Sequence, residues 1–308
     1  MSKQTTSQLM MVRPASFQFN FETAESNAFQ KSLENLSADA IKQKAIDEFD
    51  AYVEKLRKHD IQVVVIQDTA EPQKPDAIFP NNWISMQSDG IVYLYPMCTP
   101  NRRLERRSEI VEELENGFKI NEVIDLSSSE KQHQFLEGTG SIIFDHINKK
   151  AYACLSPRTD KAVFEEHCAQ LNYEPISFIS EDENGHLVYH TNVMLTIGNG
   201  FAVICLDSIK NAKEQKRVLD SFAATRHEII DISFEQMNAF AGNMLQVENI
   251  NGDTFLVMSQ TALNSLNDNQ IQQIKKYTEI LAVEIPVIET IGGGSARCML
   301  AEIYLEKK

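Results

Sequence analysis

The segment AYACLSPRT (151–159) contains the pattern that decides the fold. Its first five residues form a short apolar run rich in β-forming side chains, and a polar turn ends that run. Residues 161–171 follow with the apolar spacing of a helix, and residues 175–178 form a second short apolar run. The sequence therefore predicts a strand–turn–helix–strand module over residues 151–178.

The same order recurs four more times along the chain. First strands are predicted at 9–12, 91–95, 201–206 and 254–258, helices at 40–59, 106–116, 211–224 and 268–278, and second strands at 61–66, 122–126, 228–232 and 282–286. Repeats of such length often indicate closed or stacked architectures. The length of 308 residues suggests about two domains, but no Pro/Gly/Ser-rich linker divides the chain. We therefore predict one closed α/β domain of five modules, residues 1–308.

Composition and charge restrict the partners. A hydrophobic content of 43% is enough for a globular core, and the net charge is −15. Binding to nucleic acid or to an anionic membrane surface needs a basic face, so we expect neither partner. A small anionic substrate stays compatible, because a pocket can carry its own local charge. The polar N-terminus and the absence of a long apolar run predict no signal peptide and no membrane span, and hence a cytoplasmic protein.

The five cysteines predict neither a disulfide framework nor a zinc site, because their number is odd and no CxxC pair exists. Cys98, Cys154, Cys168 and Cys205 sit in or beside apolar runs and are expected to pack in the core. The sequence offers no metal-ligand set and no nucleotide fingerprint, so no metal and no cofactor is expected.

Cys298 differs because it follows the glycine-rich stretch IGGGSARCML (291–300). Glycines let a backbone approach a ligand closely, and a thiol just past them, at the start of an apolar strand, is well placed to face a pocket. The alternative is a glycine-rich turn with an inert, packed thiol. A phosphate loop is disfavoured, since GxxxxGK[ST] is absent and the glycines do not precede a helical pattern.

A nucleophilic thiol needs a base and a group that orients the base. Among seven histidines, His190 is the best candidate, because it lies at the edge of the strand-like run 187–194. His133 lies in a polar loop. The remaining histidines have polar or helical surroundings and are expected at the surface: His59, His146, His167, His186 and His227. Glu137, followed by glycines in FLEGTG (135–140), is the candidate third group; the alternative is an ordinary loop carboxylate.

Two further clusters could bind a substrate. The segment KPDAIFPNNW (74–83) contains Asp76, Asn81 and Asn82; adjacent asparagines usually mark a turn, but here they could cap a strand and point into a pocket. Arg102 and Arg158 follow the first strands of two successive modules at the same point. They are either solvated or converge on one carboxylate, which suits the guanidinium fork.

Taken together, these segments resemble the guanidino-group-modifying enzymes of the amidinotransferase and deiminase superfamily, the penteins. Their motif sequences are most similar to those of the citrulline-utilisation hydrolases. PDAIF (75–79) looks like the dimethylargininase strand that carries substrate-binding acids, and NRR (101–103) and LSPRT (155–159) look like its carboxylate-clamping segments. LEG (136–138) resembles the segment of the acid beside the catalytic histidine. The resemblance covers nearly the whole chain and implies a five-bladed α/β propeller around a central pocket.

The resemblance also implies a mechanism. Cys298 attacks the central carbon of a guanidino or ureido group, His190 protonates the leaving nitrogen and then activates water, and Glu137 orients His190. Arg102 and Arg158 hold the substrate α-carboxylate, and Asp76 contacts the α-amino or distal nitrogens.

The chain departs from the arginine-processing relatives, which have acids where it has Asn81 and Asn82. An amide suits a neutral ureido group, whereas a guanidinium wants a carboxylate. This favours hydrolysis of citrulline to ornithine, ammonia and carbon dioxide. Arginine deiminase, dimethylarginine hydrolase, amidinotransferase and a non-catalytic binding module stay open as alternatives. So does the oligomeric state, with a homodimer among the options.

Overall fold

The computed structural model describes residues 3–24, 26–27, 29–32 and 36–308. Within them the strands form five sheets of three. The strands are β1 Gln8–Arg13, β2 Gln62–Gln67, β3 Ile84–Met86, β4 Ile91–Leu94, β5 Glu122–Asp125, β6 Ile143–Asp145, β7 Lys150–Cys154, β8 Glu174–Phe178, β9 Leu195–Gly198, β10 Phe201–Ile204, β11 Glu228–Asp231, β12 Leu245–Glu248, β13 Thr254–Ser259, β14 Glu279–Val283 and β15 Ala301–Glu302.

Ten α-helices connect these strands in the described part of the chain. They are α1 Phe21–Ala24, α2 Ala38–Lys58, α3 Ser108–Gly117, α4 Gly138–Ser141, α5 Lys161–Leu171, α6 Ala212–Ala224, α7 Phe234–Asn238, α8 Gln260–Ser265, α9 Asp268–Lys275 and α10 Pro286–Gly292. Short 3₁₀ turns lie at Pro80–Asn82, Pro100–Glu105, Ser127–Gln132, Thr191–Val193, Leu206–Ser208 and Ala296–Met299.

Every sheet has the same topology. A middle strand pairs antiparallel with an inner strand on one side and parallel with an outer strand on the other. The inner strand leads by a tight hairpin into the middle strand in four sheets, and the middle and outer strands are joined across a helix, as parallel pairing requires. The fifth sheet takes its inner strand, β15, from the other end of the chain: Leu9 of β1 pairs with Glu302.

The five sheets close into a ring. Contacts link β15 to β3, α4 to the turn Pro80–Asn82, β6 to β9, β9 to β12, and β13 to the turn Ala296–Met299. This arrangement confirms the predicted five αβ modules and the five-bladed α/β propeller. The assignment of residues 1–308 to one domain stays a prediction.

Each module buries the apolar face of its helix against its sheet. In α2, the Ser37 hydroxyl accepts the Ala40 N–H and so caps the first turn. Ile41, Ala45, Phe49 and Leu56 then recur at helical spacing and are buried. Burial of a large apolar side chain stabilises the fold by roughly 1.5–3 kcal/mol, so this face holds α2 against β1 and β2.

Three predicted elements are wrong in type. PDAIF (75–79) forms consecutive turns, in which the Phe79 N–H bonds to the Asp76 carbonyl, because Pro75 has no N–H to donate to a strand. The run 187–194 ends in a 3₁₀ turn, and the strand follows it at β9. Cys298 likewise lies in the 3₁₀ turn Ala296–Met299 and not in a strand.

Several polar side chains are more buried than predicted. His146 and His167 are 8% and 1% exposed, and the His227 side chain is also buried. His146 stacks on Phe144, and His167 bonds to the Tyr95 hydroxyl from the inward face of α5. An imidazole can satisfy its polar atoms inside an aromatic core, which composition alone does not reveal.

The predicted cysteine environments are confirmed except at Cys98. Cys154, Cys168 and Cys205 are buried thiols, but Cys98 is only half-buried, because it lies in a loop after β4. No helix among the described residues is long and apolar enough to cross a membrane.

Candidate active site

The repeat places one residue of each module at the centre of the ring. Asn82, Gly140, Asn192, Asn243 and Cys298 each precede the inner strand of their sheet by two or three positions. We call these five positions the central ring. Because the five inner strands surround the centre, side chains at this point of each module are brought together although they are far apart in sequence.

Cys298 is held by a tightly packed glycine loop. Gly293 has φ 62°, a left-handed conformation suited to glycine. A methyl group on Gly292 or Gly294 would lie 2.7 or 2.9 Å from the Phe79 ring, so neither position has room for a side chain. The Ser295 hydroxyl donates to Glu289 of α10 at 2.6 Å. The thiol itself is 5% exposed.

His190 and Glu137 form a buried pair. His190 Nε2 lies 2.8 Å from Glu137 Oε2, and the backbone N–H of Cys98 donates to the other carboxylate oxygen at 2.9 Å. Burial raises the pKa of Glu137, but Arg158, His190 and Arg102 outweigh it and lower that pKa to about 2. Burial lowers the pKa of His190 to about 4, against the opposing effect of Glu137.

These pKa directions fix the protonation states near neutral pH. Glu137 is ionised and can only accept, so the neutral imidazole of His190 carries its proton on Nε2 and donates it to Glu137. Nδ1 then keeps its lone pair. A methyl group on Gly140 would lie 2.8 Å from that Nδ1 and 2.4 Å from Asn82 Nδ2. Glycine at this position therefore leaves space for the imidazole of His190.

Arg102 and Arg158 both face Glu137. The distances from their Nη1 atoms to Glu137 Oε2 are 4.0 and 3.6 Å. Arg102 also forms a bidentate pair with Glu105, at 2.9 Å for each bond. Both guanidinium groups therefore lie beside the same protein carboxylate, that of Glu137, and their convergence on a substrate carboxylate stays a prediction.

A short segment before α2 supplies partners to the same charged groups. The Ser26 hydroxyl lies 2.6 Å from Arg158 Nη2, and the Thr23 carbonyl accepts from the same nitrogen at 3.2 Å. Asn20 Nδ2 donates to Asp76 Oδ2 at 2.8 Å. Residues 20, 23 and 26 thus supply hydrogen-bond partners to Asp76 Oδ2 and to Arg158, groups proposed to hold a substrate.

The three polar residues of KPDAIFPNNW (74–83) are buried. Asp76 Oδ1 has no hydrogen-bond partner, and burial raises the pKa of this carboxyl although Arg102 opposes the shift. Asn82 accepts from Arg102 Nη1 at 2.7 Å and donates to Asn81 Oδ1 at 3.0 Å. Asn81 lies behind Asn82 and does not line the cavity.

A small cavity joins these groups. It has a volume of about 10 Å³, room for about one water molecule. Six of the eight site residues predicted from the sequence line this cavity: Asp76, Asn82, Arg102, Arg158, His190 and Cys298. Asn27, Tyr189 and the glycine loop also line it. Glu137 lies behind His190. Asn27 contributes the lining on the side of the segment that contacts Asp76 and Arg158.

Two central-ring residues were missed in the sequence. Asn192 and Asn243 both donate to Cys298 Sγ at 3.3 Å. A signal existed: TNVML (191–195), GNML (242–245) and RCML (297–300) share a polar residue followed by the apolar start of an inner strand. Within the described residues no group of three His, Cys, Asp or Glu side chains could hold a metal ion.

The fold and this constellation define the class of guanidino-modifying penteins. The sequence matches the family N,N-dimethylarginine dimethylhydrolase, eukaryotic, over residues 13–305. The chain therefore belongs to the dimethylarginine dimethylhydrolase family. A search of the curated proteins found no match.

Solved structures show the same fold. The apo structure of ArgZ, an arginine dihydrolase from the ornithine–ammonia cycle in cyanobacteria, is 16% identical with a TM-score of 0.75, over 97% of this chain and 40% of that one. The chain thus spans less than half of that protein. The substrate-bound N-terminal domain of ArgZ, as a cysteine-to-serine mutant, is 15% identical with a TM-score of 0.74. The match covers 97% of this chain and 98% of that domain. A cysteine-to-serine mutant of DDAH from Pseudomonas aeruginosa, complexed with citrulline, is 14% identical with a TM-score of 0.65. The match covers 97% of this chain and 99% of that one.

Proposed function

We propose that this chain is a cysteine hydrolase that cleaves citrulline to ornithine, ammonia and carbon dioxide. The observation that carries the proposal is the neutral character of the central ring. Its side chains other than the thiol are the amides of Asn82, Asn192 and Asn243, and Gly140 has none. A buried guanidinium would need a carboxylate there, whereas a ureido group needs only neutral donors and acceptors.

The charged groups suit the other end of the substrate. Arg102 and Arg158 supply positive charge for an α-carboxylate, and a carboxylate could replace the Ser26 hydroxyl and the Thr23 carbonyl as partners of Arg158. The unpartnered Oδ1 of Asp76 can accept a hydrogen bond from an α-ammonium group.

In the first step His190 Nδ1 takes the proton of the Cys298 thiol, and the sulfur attacks the ureido carbon. A C–S bond forms, the bond to the ornithine nitrogen breaks, and His190 returns its proton to that nitrogen. Glu137 keeps the imidazole in the required tautomer. Water, deprotonated by His190, then attacks the S-carbamoyl group, the C–S bond breaks, and carbamate decomposes to ammonia and carbon dioxide.

A product assay tests the proposal. Purified protein is incubated separately with citrulline, arginine, agmatine and dimethylarginine, and ornithine, citrulline and amines are separated by chromatography. We expect ornithine from citrulline, lost in Cys298→Ala and retained in the matched control Cys205→Ala, whose thiol is packed in the core. Release of citrulline from arginine or dimethylarginine, without ornithine from citrulline, would contradict the proposal.

The second candidate is a guanidino hydrolase that produces citrulline. The carboxylate of Asp76 favours it, because this group lines the cavity and could pair with a guanidinium. The family match also favours it. The same assay separates the two candidates, since they make different products from different substrates.

A further inference from the structure

The sulfur of Cys298 has two amide donors. Asn192 Nδ2 and Asn243 Nδ2 each lie 3.3 Å from Sγ, and each residue is 1% exposed. A neutral thiol is a weak acceptor, whereas hydrogen bonds to an ionised acceptor are about twice as strong as neutral ones. Two buried N–H groups directed at one sulfur therefore favour its ionised form.

The orientation of Asn243 is fixed by its other contacts. The backbone N–H of Arg297 donates to its Oδ1 at 3.1 Å, and its Nδ2 also donates to the Asn192 carbonyl at 2.9 Å. The oxygen must face Arg297, so the nitrogen must face the sulfur. The thiol can donate to the same Oδ1, 3.7 Å away, only while it keeps its proton.

The proposed reaction needs groups that stabilise the thiolate of Cys298, and the two amide donors are such groups. A guanidinium substrate would bring a positive charge beside the sulfur, but a ureido group is neutral. His190 is also neutral near pH 7, because burial lowers its pKa to about 4. Transfer of the thiol proton to His190 then leaves a thiolate that the two fixed amide dipoles stabilise.

We propose that Asn192 and Asn243 are positioning residues that stabilise the thiolate of Cys298 through two amide hydrogen bonds. The inference rests on the proposed role of Cys298 as the nucleophile. It assigns to the modules of β9–β11 and β12–β14 a part in activating the thiol of the module that contains β15, β1 and β2.

Thiolate formation is measured without substrate. The ultraviolet absorbance of the thiolate is titrated with pH, as the difference between each protein and the same protein carrying Cys298→Ala. Asn243→Asp keeps the acceptor for the Arg297 N–H but replaces the donor at the sulfur, and Asn192→Ala removes a donor without adding charge. We expect each to move the titration midpoint upward by about one pH unit, a tenfold loss of thiolate below both midpoints.

Asn269→Asp is the matched control, because it makes the same chemical change at an exposed site on α9. Its midpoint should equal that of the unmodified protein. Unchanged midpoints in both Asn192→Ala and Asn243→Asp would overturn the inference. If Asn243→Asp does not fold, Asn192→Ala alone decides.

Turnover separates this inference from the proposed function. Shifted midpoints in a protein that does not cleave citrulline would leave the thiolate contacts intact and refute only the substrate. Citrulline cleavage with unshifted midpoints would refute the thiolate contacts and leave the reaction standing.

Discussion

His190, the proposed base, lies in an environment that keeps its imidazole neutral well below the usual titration range of histidine. Burial is the largest cause, and it lowers the pKa to about 4. The neighbouring carboxylate does not reverse the shift, because Arg102 and Arg158 lie close to the same pair. Near neutral pH the pair is therefore a neutral imidazole and an ionised carboxylate, the state that the proposed reaction needs.

This protonation state predicts the acid side of the pH–rate profile. A base must be unprotonated, so activity is lost only as pH falls through its folded pKa. We expect kcat/KM for citrulline to stay nearly constant from about pH 7.5 to about pH 5.5 and to fall toward pH 4. Initial rates in buffers of constant ionic strength provide the measurement. A half-maximal rate near the ordinary histidine value of about 6.5 would show that His190 is not shifted.

Candidate site residues were recognisable in the sequence where the residue type is chemically unusual for its surroundings. Cys298 after three glycines and Glu137 before glycines stand out in the sequence. Asn192 and Asn243 did not, because an asparagine before a strand is typical of a turn. Their role depends on distances to a sulfur that lies in another module, and no local pattern records those distances.

Among the elements, the small helix α4 sets the geometry beneath the imidazole. Gly140 lies in α4 without a left-handed φ, so alanine is compatible with its backbone. The restriction comes instead from its neighbours, Asn82 Nδ2 and His190 Nδ1, which leave no room for a methyl group. Element α4 therefore acts as a spacer between two modules.

Gly140→Ala should displace His190 or Asn82 and reduce kcat about 100-fold, since misplacement of a catalytic group by about 1 Å has effects of this size. Gly117→Ala is the matched control, because nothing lies within 4 Å of a methyl group at that exposed end of α3. Steady-state rates and thermal melting temperatures are compared for both. Equal rates in the two variants would mean that α4 does not constrain the imidazole.

Elements were predictable in proportion to their length. Helices α2, α3, α5, α6 and α9 and the middle and outer strands have enough residues for a period to appear. Inner strands such as β6 and β15 have three and two residues. Their strand character comes from pairing with the middle strand, which is a tertiary contact and leaves almost no trace in local sequence.

At the scale of the whole molecule, the aromatic core contains neutral histidines. Burial lowers the pKa of His167 to about 4, and it lowers the pKa of His146 to about 4 as well. The unfolded chain binds protons at these sites below about pH 6.5, whereas the folded chain does not. Each such histidine therefore contributes stability that is lost as pH falls from about 6.5 toward 4.

His167→Gln should remove one such contribution. The free energy of unfolding of the unmodified protein, minus that of the variant, should fall by about 1.4 kcal/mol per pH unit as pH falls between about 6 and 4.5. Urea denaturation at several pH values measures this difference. Asn269→Gln, at an exposed site on α9, changes no titratable group and is the control, which should show no such slope. A constant difference for His167→Gln would contradict its burial as a neutral group.

The pairing of β1 with β15 has a consequence for how the protein is made. On the ribosome, β1 emerges early, but the strand that covers its free edge comes from residues 301–302. Until residues 301–302 emerge, the sheet of β1 and β2 has an open edge at β1, and open edges can pair with strands of other chains. The turn Ala296–Met299, which contains Cys298, directly precedes β15, so the stretch that covers the edge also brings Cys298 to the central ring. Translation of residues 296–302 therefore covers the open edge and completes the central ring in the same event.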